Sequence, residues 1–351
     1  MILRLLSKWR WPARLAVLGL VAAAGPVQPL RSVAEPIVAP NRSASVDVRA
    51  RAIDAFKTNE PELRQFGRLE FRGGVELTSS SRDFGGLSGL RMGRDGAQFV
   101  AITDKGNWFT GRIVYDGARP AGIAEAAMAP MLDAGGQRLA ARGWYDTEGI
   151  ADDGQGTLYV GIERVNRIVK FDFARQGVLA RAEPIRTSPA VQTLPNNRGI
   201  EALAFVPKAM PLAGTLIAFS ERGLDSAGNT RAFLIGGPAP GGFTVRRTDD
   251  FDISDCALLP SGDLLLLERR FSWTSGVAIR LRRIALASIA PGGLVDGPIL
   301  LFADMGYQVD NMEALGVHRT PQGETVLTLL SDDNFSALQR TLLLQFTLLD
   351  E

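Results

Sequence analysis

Cysteine and histidine are nearly absent from this 351-residue chain, which has only Cys256 and His318. A single thiol excludes any disulfide within the chain. Cys256 follows Asp255 at the head of an apolar run and reads as a small buried hydrophobe. A single imidazole excludes zinc sites built on several histidines and the histidine phosphatase motif; His318 reads as a strand residue. An excess of one charge is missing too: 39 Lys plus Arg face 38 Asp plus Glu. No large basic field therefore exists to hold nucleic acid. There is no P-loop and no Rossmann glycine fingerprint. Gly86-Leu87-Ser88-Gly89 approaches a nucleophile elbow but lacks its final glycine spacing and its strand-to-helix context. Asp332-Asp333-Asn334 lacks the twelve-residue ligand spacing of an EF-hand.

Long hydrophobic runs are also lacking. The apolar stretch at residues 15–24 is shorter than the roughly 20 residues of a membrane span. It follows a basic segment containing Arg4, Lys8, Arg10 and Arg14, and small residues come after it. That order is the order of a secretory signal, so residues 1–34 are expected to be removed on export to the periplasm or beyond. The five basic residues of that segment leave with it, giving 34 basic against 38 acidic residues. Residues 35–62 hold Pro36, Pro40, Asn41, Ser43, Ser45 and Pro61 and read as a leader, with one short turn of helix near Arg49 to Phe56.

From there on a motif returns five times. A small or acidic residue leads a short apolar run, a turn follows, and the next strand ends in charge. The leads are Ser88, Glu148, Glu201, Asp255 and Glu313, spaced by 60, 53, 54 and 58 residues. Repetition at this period indicates a propeller or array of one supersecondary unit. Within each unit the runs are short, rich in Val, Ile, Leu and Phe, and cut by Gly, Pro or Asp, which are strand and turn signals. Four such runs per unit make a propeller blade. The last unit shows only three, and Arg68-Leu69-Glu70-Phe71 with Val75-Glu76-Leu77 can supply the fourth from the other end of the domain. Closure of this kind removes two sheet edges. The expected fold is all-β: a five-bladed β-propeller over residues 63–351, closed by its terminal strands. A sixth blade between Arg112 and Arg142 remains open, as does a two-domain β-sandwich.

Residues repeated at one place in every blade become a ring around the channel. The leads make one ring. The strand-end charges make a second: Asp104-Lys105, Glu163-Arg164, Glu221-Arg222, Glu268-Arg269-Arg270 and Asp332-Asp333-Asn334. Oxygen-rich rings suit a hard cation such as Ca2+, and Arg suits oxyanions. Lys105, Arg164, Arg222 and Arg269 are accordingly candidate contacts to phosphate or carboxylate oxygens. Consecutive Glu-Arg on a strand point to opposite faces, so a structural pairing weighs equally for any one of them. Trp108 and Trp273 are candidates for stacking on a ligand.

These residues resemble a known family. Gly86-Leu87-Ser88-Gly89-Leu90, Ile102-Thr103-Asp104-Lys105-Gly106, Asp146-Thr147-Glu148-Gly149-Ile150, Asn197-Arg198-Gly199-Ile200-Glu201, Ser220-Glu221-Arg222, Asp310-Asn311-Met312-Glu313 and Leu330-Ser331-Asp332-Asp333-Asn334 resemble the phytase-like, "esterase-like activity of phytase" family. The resemblance implies an exported bacterial propeller with phosphatase or esterase activity, and it adds Arg198 and Asn334 to the candidates. Together the two readings assign Glu148, Glu201 and Asp104 to catalysis, and Glu163, Glu221, Asp255, Glu313 and Asp332 to a Ca2+ ion. Lys105, Arg164, Arg198, Arg222, Arg269 and Asn334 are assigned to a small anionic substrate, with the chain expected to act as a monomer. A non-catalytic binding propeller and a metal-dependent lactonase or carboxylesterase stay open as alternatives.

Overall fold

Short apolar runs parted by Gly, Pro and Asp turns can bury only one supersecondary unit each, so stability requires stacking them. The computed structural model, which describes residues 43–349, shows five such units closed in a circle. Each is an antiparallel sheet whose innermost strand lines the axis. Those strands are Leu87–Met92, Thr147–Asp152, Ile200–Phe205, Asp252–Leu258 and Met312–Arg319, in blades one to five. The spaced leads therefore found the right strands, and the blade count is five. The stretch once open for a sixth blade is the hairpin Asn107–Asp116 and Arg119–Pro130, the outer strands of blade one.

Closure works as the terminal strands predict. Leu69–Ser79 pairs antiparallel with Thr341–Leu348, so blade five takes its fourth strand from the amino-terminal side. The expected leader is shorter than 35–62, because Val48–Ile53 adds a further strand against residues 74–79 and Ala44–Ser45 pairs with Ala127 and Met128 in blade one. The turn of helix expected near Arg49 is thus a strand: alternate Val, Ala and Ile among arginines suit a half-exposed sheet edge. Two other details were not foreseen. Blade two's outer strand is only Glu183–Pro184. Leu294–Val295, from a connection inside blade four, pairs in parallel with blade three. Residues 1–34, the expected signal segment, lie outside the described residues. Among the described residues no helix is long and apolar enough to cross a membrane.

The core is correspondingly divided into five hydrophobic clusters, one between each pair of neighbouring blades. Trp108 belongs to the cluster between blades one and two, fully buried against Phe171 and Phe173, so it is core and not a ligand platform. Cys256 is buried between blades three and four, as expected. The closing pair is tight: a Cβ at Gly74 would lie 2.5 Å from Leu344 Cδ2 and 2.8 Å from the Leu343 carbonyl oxygen. Backbone cannot yield there without breaking the ladder. Gly74→Ala is therefore expected to lower stability by about 1–3 kcal/mol, read as a reduced urea midpoint. An unchanged midpoint would mean that the closing pair is looser than described.

Candidate functional site

Every inner strand carries an irregularity at its lead motif. Pairing with the second strand slips between Leu87 and Gly89, Ile200 and Ala202, Ile253 and Asp255, and Met312 and Ala314. In blade two Glu148 and Gly149 lie between the paired Thr147 and Ile150. A bulge leaves its extra residue unpaired and re-aims that side chain. The extra residues are Ser88, Glu148, Glu201, Ser254 and Glu313. The backbone around each bulge is pinned from the second strand. Asp104, Glu163, Glu221 and Asp332 donate their N–H groups to the carbonyls of Gly86, Asp146, Gly199 and Asn311, at 2.8–2.9 Å. Arg269 holds the matching place in blade four, opposite Asp252. Both rings therefore sit at one mouth of the channel.

Register corrects one member of the first ring. Blade four contributes Ser254, and Asp255 is the next residue. The Asp255 carboxylate accepts from the Leu315 and Cys256 N–H groups, both at 2.7 Å, and faces Arg91 at 3.8 Å. Burial pushes it up to about 7 while Arg91 opposes the shift. It braces inner strands and is not among the clustered carboxylate oxygens of Glu148, Glu201 and Glu313. The two serines act alike. Ser88 Oγ donates to the Thr147 carbonyl at 2.5 Å and Ser254 Oγ to the Met312 carbonyl at 2.9 Å. In both cases the acceptor is the residue just before the next blade's glutamate.

The remaining leads converge. Glu148, Glu201 and Glu313 bring one carboxylate oxygen each within 4.8 Å of the others. Arg269 Nη2 enters this cluster, 3.1 Å from Glu313, 3.6 Å from Glu221 and 4.0 Å from Glu201. Asp104, Glu163, Glu221 and Asp332 surround it as the second ring. Glu163 Oε1 accepts from Gly199 N–H at 2.8 Å, Asp332 Oδ1 accepts from Asn334 N–H at 2.7 Å, and Asn311 Nδ2 donates to Glu313 at 2.7 Å. Asp104 Oδ1 is buried with no partner. Beneath lies Arg91, which sequence reasoning missed. Its guanidinium donates to the carbonyls of Leu90, Leu203, Cys256 and Leu315 at 2.6–3.4 Å, spanning the channel from blade one to blades three, four and five. The rings thus form a cup with an arginine floor. An arginine ending an apolar inner strand was the available signal, since five donors need acceptors.

Crowded acids with one cation among them hold their protons tightly. Burial, then Glu313 and Glu163, pushes Glu148 well above the usual carboxylate range; burial, then Glu148 and Glu221, does the same to Glu201. Burial raises Asp104 to about 6, Glu163 to about 7 and Asp332 to about 8, with neighbouring carboxylates adding to each. Glu221 also rises through burial, although Arg269 and Arg222 pull against it. Burial works against the charge of Arg269, but Glu313, Glu201 and Glu221 outweigh it and hold the proton. Asp146, a second omission, links the blades: its N–H donates to the Asp104 carbonyl, its own carbonyl accepts from Glu163, and burial raises its side chain against the pull of Arg164.

The expected cationic contacts divide into two groups. Lys105, Arg164 and Arg198 are exposed at the mouth. Lys105 Nζ sits 3.0 Å from the Phe335 ring centre and Arg164 stacks on Tyr145 at 4.6 Å. Arg222 instead grips the buried Asp252 with both Nε (2.8 Å) and Nη2, and Arg247 shares that carboxylate. Arg269 faces carboxylates, as described above. Asn334 is exposed in a left-handed turn that lets its N–H reach Asp332. His318 lies toward the opposite end of its strand against Gly96, and burial lowers it to about 4. A groove of about 920 Å³ beside blade three is lined mainly by apolar residues and glycine, with Arg186, Asp225 and Arg231. This groove and the clustered acids thus lie apart.

A family model described as "Phytase-like: Esterase-like activity of phytase" matches residues 82–335. The chain belongs to this phytase-like family. A search of curated proteins gives no match. Among 533 matching chains of solved structures, one titled "YCF48 bound to D1 peptide" is 10% identical. It covers 79% of this chain and 68% of its own at a TM-score of 0.34, too low to support any argument. The three clustered carboxylates could hold a hard divalent cation beside Arg269, since ligands held at roughly 2.3–2.6 Å from one ion lie within about 5 Å of each other. Asp104 Oδ1, buried and unpaired, is a further open acceptor at the same mouth.

Raised carboxylates make a distinctive stability prediction. Asp104, Glu163 and Asp332 bind protons more tightly folded than unfolded. Between pH about 4 and 8 the native state therefore holds the extra protons, and stability falls as pH rises. With chelator present, the thermal midpoint is expected to be lower at pH 8.5 than at pH 5.5. Ca2+ is expected to restore it at the higher pH by binding the native state. A midpoint that rises across this window would contradict the buried acid ring.

Proposed function

We propose that the cup is the active site of a cation-dependent hydrolase acting on small anionic esters, phosphate esters foremost. The observation that carries this reading is the convergence of Glu148, Glu201 and Glu313 within 4.8 Å, ringed by acids whose proton affinities lie near neutrality. Family membership supports a hydrolase-like propeller at the family's own level. Glu148, Glu201 and Glu313 are the residues that hold the ion. Bound there, a Ca2+ ion supplies Lewis-acid polarisation of the ester and a more acidic water.

The chain's own groups do the rest. Lys105, Arg164 and Arg198, exposed at the rim, bind the ester's oxyanion and orient it over the cup. Asp104, at about 6, is ionised at neutral pH and takes the proton of the attacking water at Oδ1. Asp332, raised by burial and by Glu313, is the group that gives a proton to the leaving oxygen. The new P–O bond to water forms as the bond to the alcohol oxygen breaks, releasing phosphate and alcohol. Arg269 keeps the acid cluster from repelling itself apart between turnovers. Read with the signal at residues 1–34, the enzyme works as a monomer in the periplasm or outside the cell.

Purified protein with Ca2+ is expected to release phosphate from a generic monoester, and a chelator to stop it. Glu148→Gln with Glu201→Gln should abolish release, and Asp104→Asn should lower kcat by about 10²–10⁴. Turnover confined to carboxyl esters or lactones in a parallel panel would move the substrate class. Release indifferent to Glu148→Gln and Glu201→Gln would sink the site assignment.

A further inference from the structure

Beside the acid cup stands an apolar feature that hydrolysis of a wholly polar ester does not need. The second strand of blade four, Leu264–Ser272, does not stop at Arg269 but continues into a hairpin with Gly276–Ile284. Its tip carries Phe271 and Trp273, which are 57% and 94% exposed and pack edge to face at 5.2 Å. Met305, 63% exposed, comes from the connection between blades four and five; a Cβ at Gly276 would lie 2.7 Å from its Cγ. Blade five's corresponding loop presents Leu338, also 94% exposed, and Phe335 under the Lys105 ammonium. Isolated exposed apolar side chains are ordinary on protein surfaces, whereas two on one projecting tip with Met305 from the next connection against its turn form a cluster.

Position gives this tip its meaning. Arg269 pairs with Asp252 at the start of the inner strand, so the hairpin projects from the mouth that holds both rings. Phe271 follows Arg269 by two residues and shares its face of the strand. With a rise of about 3.4 Å per residue, Phe271 lies about 7 Å further along the strand than Arg269, whose guanidinium reaches Glu313. A substrate whose head lies in the cup therefore has its remainder beside Phe271, Trp273 and Met305. Cations at the rim, acids below and an uncovered apolar wall to one side complement an amphiphile: an anionic ester head on an apolar tail.

Resting on the hydrolase reading above, we infer that the preferred substrates are esters with an acyl, alkyl or aromatic tail, held by Phe271, Trp273 and Met305. The tail can belong to a dissolved single molecule or to a lipid in a surface, and both present the same chemistry. Polyhydroxylated phosphate esters lack the part that this wall binds. Phe271 and Trp273 act as specificity-determining residues: they contact substrate but take no part in proton transfer.

The test pairs turnover with binding. Alkyl phosphate monoesters of increasing chain length, kept below their micellar concentrations, are expected to show KM falling with length at similar kcat. Phe271→Ser with Trp273→Ser should raise KM for the longest tail about tenfold and leave the shortest ester unchanged. In parallel, a non-hydrolysable alkylphosphonate should shift tryptophan emission in the parent protein, and Trp273→Phe should remove that shift. Vesicles containing the same lipid phosphate separate the two sources, since faster turnover at the vesicle surface than in solution assigns the tail to a lipid layer. KM independent of chain length, with no emission change, overturns the inference while leaving the hydrolase reading standing. Alkylphosphonate binding without turnover of any ester overturns the hydrolase reading, and with it the substrate preference, leaving only a tail-binding wall. Because both side chains are at an exposed tip, these variants are expected to fold, and an unchanged thermal midpoint verifies it.

Discussion

The site depends on a one-residue slip in the pairing between the first two strands of each blade. In regular antiparallel pairing, side chains alternate between the two faces of a sheet, which in a propeller are packed on the neighbouring blades. The bulge releases one residue per blade from that alternation. Hydrogen bonds from the strand-end N–H groups to the residue two places before the bulge hold the slip in place. Five repeats of the same irregularity bring side chains that are 53–60 residues apart in sequence into one cup. Serine at two of the five positions ties neighbouring blades together, and glutamate at the other three forms the carboxylate cluster.

Such a cluster is electrostatically expensive, and two arginines manage the cost in different ways. Arg269 stands among the carboxylates and offsets part of their repulsion directly. Arg91 lies below and is satisfied chiefly by backbone carbonyls, so it lends field and closure without neutralising the cup. The uncompensated remainder appears as raised proton affinities around the rings. Burial and neighbouring carboxylates raise Asp332 more than Asp104, so the two differ in proton affinity. Structural strain and proposed chemistry thus have one physical origin.

Much of this was legible in the linear pattern because strand periodicity, turn residues and a repeat length are local properties. The blade count, the closing strand and four of the five lead positions followed from them. Asp255 was misplaced for the same reason: Ser254-Asp255 and Ile200-Glu201 look alike until register decides which residue is bulged. Arg222 and Arg269 looked like free oxyanion contacts, yet Arg222 is bound to Asp252, 30 residues away in sequence, and Arg269 is enclosed by acids from two other blades. Trp108 sat beside a charged motif and proved to be core, since what faces it comes from blade two.

The sequence by itself determined the all-β repeat architecture, its closure by terminal strands, the scarcity of thiol and imidazole chemistry, and the acidic character of the channel mouth. These rest on composition and on spacings within a blade, where neighbours in sequence are neighbours in space. Only the tertiary structure decided which acids meet, which cations remain free, that Arg91 closes the cup and that Phe271 and Trp273 stand beside it. Those relations join residues from different blades. Their distances are set by bulge register and blade stacking, which no segment of the chain encodes alone.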